Sequence, residues 1–474
     1  MSLVKNSLLY LISTILVKAT TFFLLPLYSY LVTPEEYGYV YIVSATSSLM
    51  MLFMQLSTQV CISRFLFDCK HEDDVKRLFS TIVFTVAGFS TFIFVIVWIF
   101  GPTISEFINL PLTYLRIACL IPYIGLFYNL ILALLYAKQD AKKVSITSAV
   151  VGILNIVIQL ILVFKMNDKA MALMLSMLLN SVITFCIFLI YSRPFIILSY
   201  DLKNINKYMY YALSQLPSDL SAWLVSCTDR VIINKYIGAS QTGIYGVGTT
   251  IGTIPSVIYY SMNQAYVPFA YSKFKDIEKG KNEGRFEFER ATEILSAVVI
   301  IVISFFILFS NNIVNIFSPS YSSSFFIVVV MLMASMFDIF RVIYMQPLCF
   351  NIKFTKIKSA IWLISGLLNM GLNFIIIPRY GIYGGCLTSL VTYIITFGLL
   401  LHFSHKAITL VYQWTKIIKL GVLSIILYTS LLFGPDFDVL MLKITLYFLY
   451  IFISDKILDL KLLKYIKQLC QRLY

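Results

Sequence analysis

Apolar runs of about twenty residues recur along the whole of this chain, separated by short polar joints. A helix rising about 1.5 Å per residue needs a run of that length to cross a hydrocarbon layer of about 30 Å. Inside such a layer every backbone N–H and C=O must be satisfied within the protein, so only helices and closed barrels span it. Barrel strands would read as segments of about ten residues with a period of two. The runs here are longer and apolar all round, and the expected class is an all-α polytopic membrane protein. Composition agrees: 59% of residues are hydrophobic and only 13% charged, against roughly a quarter charged in soluble domains.

The pattern predicts about fourteen spans. They fall at 8–30, 38–60, 79–101, 113–137, 145–165, 170–191, 208–235, 242–262, 291–316, 325–348, 356–377, 381–403, 416–433 and 438–455. Basic residues gather on alternate joints, at Arg64, Lys70, Lys76 and Arg77, at Lys138, Lys142 and Lys143, and again through 263–290. The opposite joints hold only Lys165, Lys169, Lys235 and Arg379. Cytoplasmic loops retain Lys and Arg, so this asymmetry accounts for the net charge of +14 without nucleic acid. It predicts a multi-pass membrane protein with both termini cytoplasmic, as an even span count requires. The first run lacks a small-residue cleavage site and reads as a retained helix. The tail 456–474 places Leu462, Ile466, Leu469 and Leu473 at helical spacing among lysines, and reads as an amphipathic helix on the cytoplasmic leaflet.

Several chemistries are not signalled. The eight cysteines form no CxxC pair and the three histidines no ligand cluster, so neither a disulfide framework nor a metal site is expected. His71, Glu72, Asp73 and Asp74 form an acidic cluster in a short basic joint and read as a solvated loop. No GxxxxGK[ST] occurs, which argues against a self-contained ATP-driven pump. No joint is long enough for a soluble domain, and no cofactor or catalytic residue is expected.

The stretch 208–250 is the exception within the apolar pattern. It carries Asp219, Asp229 and Arg230, with Pro217 inside it. Ionisable groups at bilayer depth are costly and face a bundle interior or a water-filled cavity. On a 3.6-residue period Gln215, Asp219, Trp223, Ser226 and Arg230 share one face, with Asp229 at its edge. The Pro217 ring predicts a kink. This face reads either as part of a pathway or as a salt-bridged structural helix. Asp338 and Arg341 are three apart in the tenth span, so they can pair on one face. Glu293 is expected at the membrane interface, and Arg116 and Lys443 near span ends, within snorkelling reach.

Two stretches recur. LVTPEEYGYVYI at 31–42 aligns with YIGASQTGIYGV at 236–247, matching Gly38 to Gly243. VVGILNIVIQL at 150–160 aligns with ISGLLNMGLNF at 364–374, matching Gly152 to Gly366, Asn155 to Asn369 and Gln159 to Asn373. The similar offsets predict a parallel repeat, for which substrate sites lie between the halves. The expected organisation is a six-helix bundle at 1–200, a second at 201–405, two further spans at 406–455 and the tail at 456–474.

LPLYSYLVTPEEYGYV at 25–40, with Asp229–Arg230 and IGASQTGIYGV at 237–247, resembles the polysaccharide transporter family. This family includes the O-antigen and lipid-linked oligosaccharide flippases, in the superfamily that also holds the multidrug extruders. The resemblance spans roughly residues 1–405. It implies a two-bundle transporter working by alternating access. Its cargo would be an undecaprenyl-diphosphate-linked O-antigen or capsular repeat unit, and its partners that lipid-linked oligosaccharide, membrane lipid and polysaccharide polymerase machinery. On this reading Lys18, midway along the first span, either neutralises the diphosphate or an acidic sugar, or pairs with Asp219. Arg341 and Asp338 are substrate-site candidates, Asp219 the candidate for H+ or Na+ coupling, and Asp229 and Arg230 candidates for gating. Alternatives are a multidrug exporter coupled to H+ or Na+, and a membrane oligosaccharide polymerase or ligase. Cationic groups in the spans argue against the first, and short outer joints against the second.

Overall fold

The computed structural model describes residues 24–429 and 437–458. The predicted first span lies mostly outside the described residues, and so do Lys18 and the tail beyond Leu458. Among the described residues there is helix and no strand. The principal helices are α1 (Pro34–Gln55), α2 (Gln59–Phe65), α3 (Glu72–Ile99), α4 (Leu112–Ala137), α5 (Ala141–Lys165), α6 (Lys169–Ser192) and α7 (Ile205–Tyr236). They continue as α8 (Ala239–Gly252), α9 (Ile254–Glu278), α10 (Asn282–Leu308), α11 (Phe325–Tyr344), α12 (Thr355–Ala407), α13 (Trp414–Tyr428) and α14 (Phe437–Leu458). The chain is an all-α, multi-pass membrane protein. By length and apolarity alone, eight of the described helices are able to cross a membrane. α7 is absent from those eight, because its charged and polar residues lower its apolarity.

The chain divides into two compact units. One holds the described residues up to Gly246 together with Gly366–Gly385; the other holds Val247–Ser365 and the described residues from Cys386 onward. The division passes through α8 and α12, away from the repeat boundary near residue 200.

In the first unit α4 is the central helix, packed against α1, α2 and α6. Leu126, Leu130 and Leu134 stand four residues apart, fully buried, and form the ridge that a neighbouring helix groove accepts. The TPEE sequence that opens α1 is a capping box. Thr33 Oγ1 accepts the Glu36 N–H, Glu36 Oε2 accepts the Thr33 N–H at 2.9 Å, and Pro34 sits in the first turn, where it lacks nothing. The other Glu36 oxygen accepts the Lys169 N–H at the start of α6.

The expected span 38–60 is not one helix. α1 ends at Gln55, and Leu56 and Ser57 both take left-handed backbone conformations (φ 50° and 56°) before α2 begins. Such conformations are uncommon outside glycine and carry strain that the surroundings must hold. Residues 355–407 form one run broken at Gly381, whose φ of +63° suits glycine alone. A Cβ on Gly384 would press on the Ile376 carbonyl, so the chain doubles back there, between the expected spans 356–377 and 381–403.

The second unit is built around α10, which packs against α9, α11 and α13. Ser304 forms a buried hydroxyl cluster with Ser424, Tyr428 and Tyr450. Glu289 and Glu293 accept the backbone N–H groups of Val411 and Gln413 at 2.7 and 2.8 Å, fixing the segment between α12 and α13. Glu293 is therefore buried beneath this segment. Lys443, expected to snorkel, is instead buried, with Asn312 Oδ1 3.4 Å away.

Candidate functional site

Within the first unit, α7 presents its polar residues to α1 and to the break after it. α7 runs through Pro217, whose carbonyl accepts the Ser221 hydroxyl at 2.6 Å. Asp219 Oδ2 accepts the Ser57 hydroxyl at 2.6 Å, so the half-buried carboxylate clasps the strained residue between α1 and α2. Among the described residues Asp219 takes part in no ion pair. One turn on, the Trp223 indole N–H donates to the Ala45 carbonyl and to Ser48 Oγ, each at 3.1 Å. Arg230 lies over the Tyr41 ring at 5.1 Å, with its Nε buried and unpartnered. Asp229, its neighbour in sequence, points elsewhere: Oδ2 accepts the Tyr245 hydroxyl of α8 at 2.5 Å and Oδ1 accepts the Arg230 backbone N–H. The two adjacent charges are thus not a side-chain salt bridge.

α8 crosses α1 at glycines. A Cβ on Gly38 would overlap the Ala239 carbonyl, one on Gly243 the Pro34 carbonyl, and one on Gly246 the Tyr41 ring. Pro34 and Ala239, Gly38 and Gly243, and Tyr41 and Gly246 are each the same distance apart in sequence, so the crossing is built from counterparts. The second repeat is less even. Asn373 Nδ2 donates to Asn369 Oδ1 at 2.9 Å in a fully buried pair, whereas Asn155 and Gln159 are half-buried.

The second unit holds the other charged cluster. Arg341 Nη2 and Nε reach Asp338 Oδ1 at 2.5 and 2.7 Å, both side chains being buried. The remaining carboxylate oxygen, Oδ2, accepts the Tyr260 hydroxyl at 3.0 Å, with Ser256 at 3.5 Å. Trp362 and Tyr393 stack against the guanidinium, at 4.3 and 4.4 Å from its carbon. Aromatic faces attract the cation. One nitrogen, Nη1, is buried with no partner. A buried donor left unmade costs about 1–3 kcal/mol, more when charged. The site therefore holds a fixed, planar cation with one nitrogen unpaired. Trp362 and Tyr393 come from distant parts of the sequence and were not among the expected site residues.

The acidic cluster at 71–74 is a helix start: Asp74 accepts the N–H groups of Lys70 and His71 at the head of α3. Asp73 pairs with Lys76 at 3.1 Å.

This fold is that of polytopic membrane transporters. Among solved structures it is similar to the lipid II flippase MurJ in an inward closed conformation, with a TM-score of 0.75 and 16% identity over 97% of this chain and 100% of that one. It is also similar to an inward-facing multidrug resistance MATE family transporter of the MOP superfamily, with a TM-score of 0.62 and 15% identity over 85% and 94%. Identities this low carry the fold alone. Residues 29–326 match the polysaccharide biosynthesis protein family, and the chain belongs to it. Protein 1 of the Lsg locus of Haemophilus influenzae is 25% identical over 281 residues, 58% of this chain and 67% of that one. The resemblance read from the sequence holds for family and fold.

Proposed function

We propose that this protein is a flippase that carries a polyprenyl-diphosphate-linked oligosaccharide, an O-antigen or capsular repeat unit, across the bacterial inner membrane by alternating access. The family and the fold shared with a lipid II flippase support a lipid-linked cargo. The observation that carries the reading is Arg341, buried, clamped between Trp362 and Tyr393, and left with one unpartnered nitrogen. A guanidinium edge suits phosphate oxygens, which it binds in pairs. Asp338 makes the pair neutral overall and allows the cation to exist in the membrane between cargoes. Asp219, holding the α1–α2 break through Ser57, is the candidate for H+ or Na+ coupling, and Asp229 and Arg230 are gate residues at the α1–α8 crossing. Lys18 is a second cation for the cargo. The basic joints support a reading with both termini in the cytoplasm, and the two sequence repeats support a reading of 1–200 and 201–405 as pseudo-symmetric halves. Polymerase machinery is the partner on the outer face. No covalent chemistry is involved.

Arg341→Ala tests this directly. Export of surface glycan is lost, and Arg341→Lys, which lacks the planar edge, restores little of it; the double variant Asp338→Leu with Arg341→Met, which leaves no buried charge unpaired, shows the same loss at unchanged protein level. Export at the normal rate in Arg341→Ala removes the phosphate role.

A further inference from the structure

We propose that a cavity in the first unit, between α2, α4 and the start of α7, is a subsite for the sugar portion of the cargo; this rests on the flippase reading above. The cavity measures about 620 Å³ and its walls include Gln59, Ser63, Arg64, Asn129, Tyr136 and Tyr211. It is of the size that takes a ligand of several rings, about 300–1,000 Å³.

Its chemistry separates it from a phosphate site and from a lipid groove. The one cation on the wall, Arg64, is already engaged by Asp68 at 3.0 Å, and Lys207 approaches the same carboxylate at 3.8 Å. The wall itself offers a diphosphate no other cation. One neutral polar group on the wall is unsatisfied. Gln59 Oε1 is buried without a partner. Behind the wall Asn129 Nδ2 donates to Gln55 Oε1 at 3.4 Å, while Gln55 Nε2 has no partner in a side chain only 5% exposed. An acyl chain there would leave the Gln59 amide unpaired, at a cost of about 1–3 kcal/mol. A sugar hydroxyl both donates and accepts, so vicinal hydroxyls match a side-chain amide on both counts. Tyr136 and Tyr211 are 48% and 40% exposed. Such rings offer an apolar face to the C–H face of a pyranose and a hydroxyl at its rim. Tyr211 is held edge-on by Phe65 at 5.5 Å, which fixes the platform. Together the lining fits a neutral glycan bound by amides and stacked on tyrosine.

The probe is the oligosaccharide pool released by mild acid from the source strain's own polyprenyl lipids. Saturation-transfer NMR on the full chain in detergent reads binding without any need for transport. Wild type gives signals on sugar ring protons; Gln59→Ala and Tyr211→Ala each weaken binding about tenfold, the loss expected for one good hydrogen bond or stacked ring. Gly88→Ala, whose new Cβ meets nothing within 4 Å, leaves binding unchanged. Ser63→Trp, which fills the cavity from an exposed position, abolishes binding and serves where Gln59→Ala fails to fold. Absence of signal from wild type, or equal signal from wild type and all three cavity variants, overturns the proposal and leaves the cavity to water. A leaflet assay keeps the two readings apart. If wild type binds glycan through the cavity but moves no lipid, the subsite stands and the flippase reading falls. If it moves lipid and the cavity variants move the complete repeat unit equally fast, the subsite falls alone.

Discussion

The crossing of α1 and α8 yields a prediction whose size follows from the geometry. Alanine at Gly38 puts a methyl into the Ala239 carbonyl, and alanine at Gly243 puts one into the Pro34 carbonyl. Both obstacles are backbone, which no rotamer change can move, so the helices must part. Overpacking a tight site costs about 1–3 kcal/mol, and a backbone obstacle sets the upper end. Against this, alanine gains about 1 kcal/mol over glycine in helix propensity. Each single variant is therefore destabilised by about 2 kcal/mol. The double variant loses far less than twice that, since one parting of the helices makes room for both methyls. A coupling of about 1–2 kcal/mol is expected, of the size seen for residues sharing one contact. Gly88→Ala and Gly371→Ala are the controls: nothing lies within 4 Å of either new Cβ, and each is neutral or stabilising by up to about 1 kcal/mol. Unfolding of the detergent-solubilised protein, followed by circular dichroism at fixed detergent, reads all five variants. Gly38→Ala behaving like Gly88→Ala, or strict additivity of Gly38→Ala and Gly243→Ala, refutes the shared crossing.

Three further outcomes are expected. Tyr245→Phe strips Asp229 of its side-chain donor and destabilises by about 1–3 kcal/mol; the same unfolding assay shows Asp229→Asn recovering part of this in the Tyr245→Phe background. Thr33→Ala removes the α1 capping box at a cost of about 0.5–2 kcal/mol, and Thr33→Ser retains most of it. Asp338→Ala leaves Arg341 buried and uncompensated, costing about 3–5 kcal/mol and lowering protein yield. Replacing the pair together, Asp338→Leu with Arg341→Met, restores yield on immunoblots but not glycan export.

How much of this the sequence disclosed depended on how local the cause was. The Asp338–Arg341 pair is legible from a three-residue spacing, because neighbouring turns of one helix fix it. The TPEE run is legible in the same way as a helix start. The Gly38–Gly243 alignment is longer-ranged, and the structure gives it a meaning: the matched glycines pack on each other's helix. Long-range partners are another matter. Trp362 and Tyr393 around Arg341, and Tyr245 on Asp229, are brought in by tertiary packing that periodicity does not encode. Left-handed Leu56 and Ser57 were illegible for a different reason. Nothing in the run MQLSTQ demands that conformation, since it holds neither glycine nor proline. Lys443 was misplaced because closeness to a span end suggests water, whereas helix packing buries it. The polar wall of Gln59 and Asn129 went unnoticed since the two amides stand seventy residues apart, and only folding brings them to one cavity.

The central claim is that a lipid-linked glycan changes leaflet through this protein. Lipids from a deletion strain and its complemented counterpart, labelled from the outside and identified by mass spectrometry, measure this directly. The account predicts that one polyprenyl-diphosphate oligosaccharide accumulates on the cytoplasmic leaflet of the deletion strain and becomes accessible from outside on complementation, but not with Arg341→Ala. Unchanged lipid intermediates together with altered drug sensitivity would contradict it and favour multidrug export; intermediates that reach the outer leaflet unpolymerised would contradict it in favour of an enzyme.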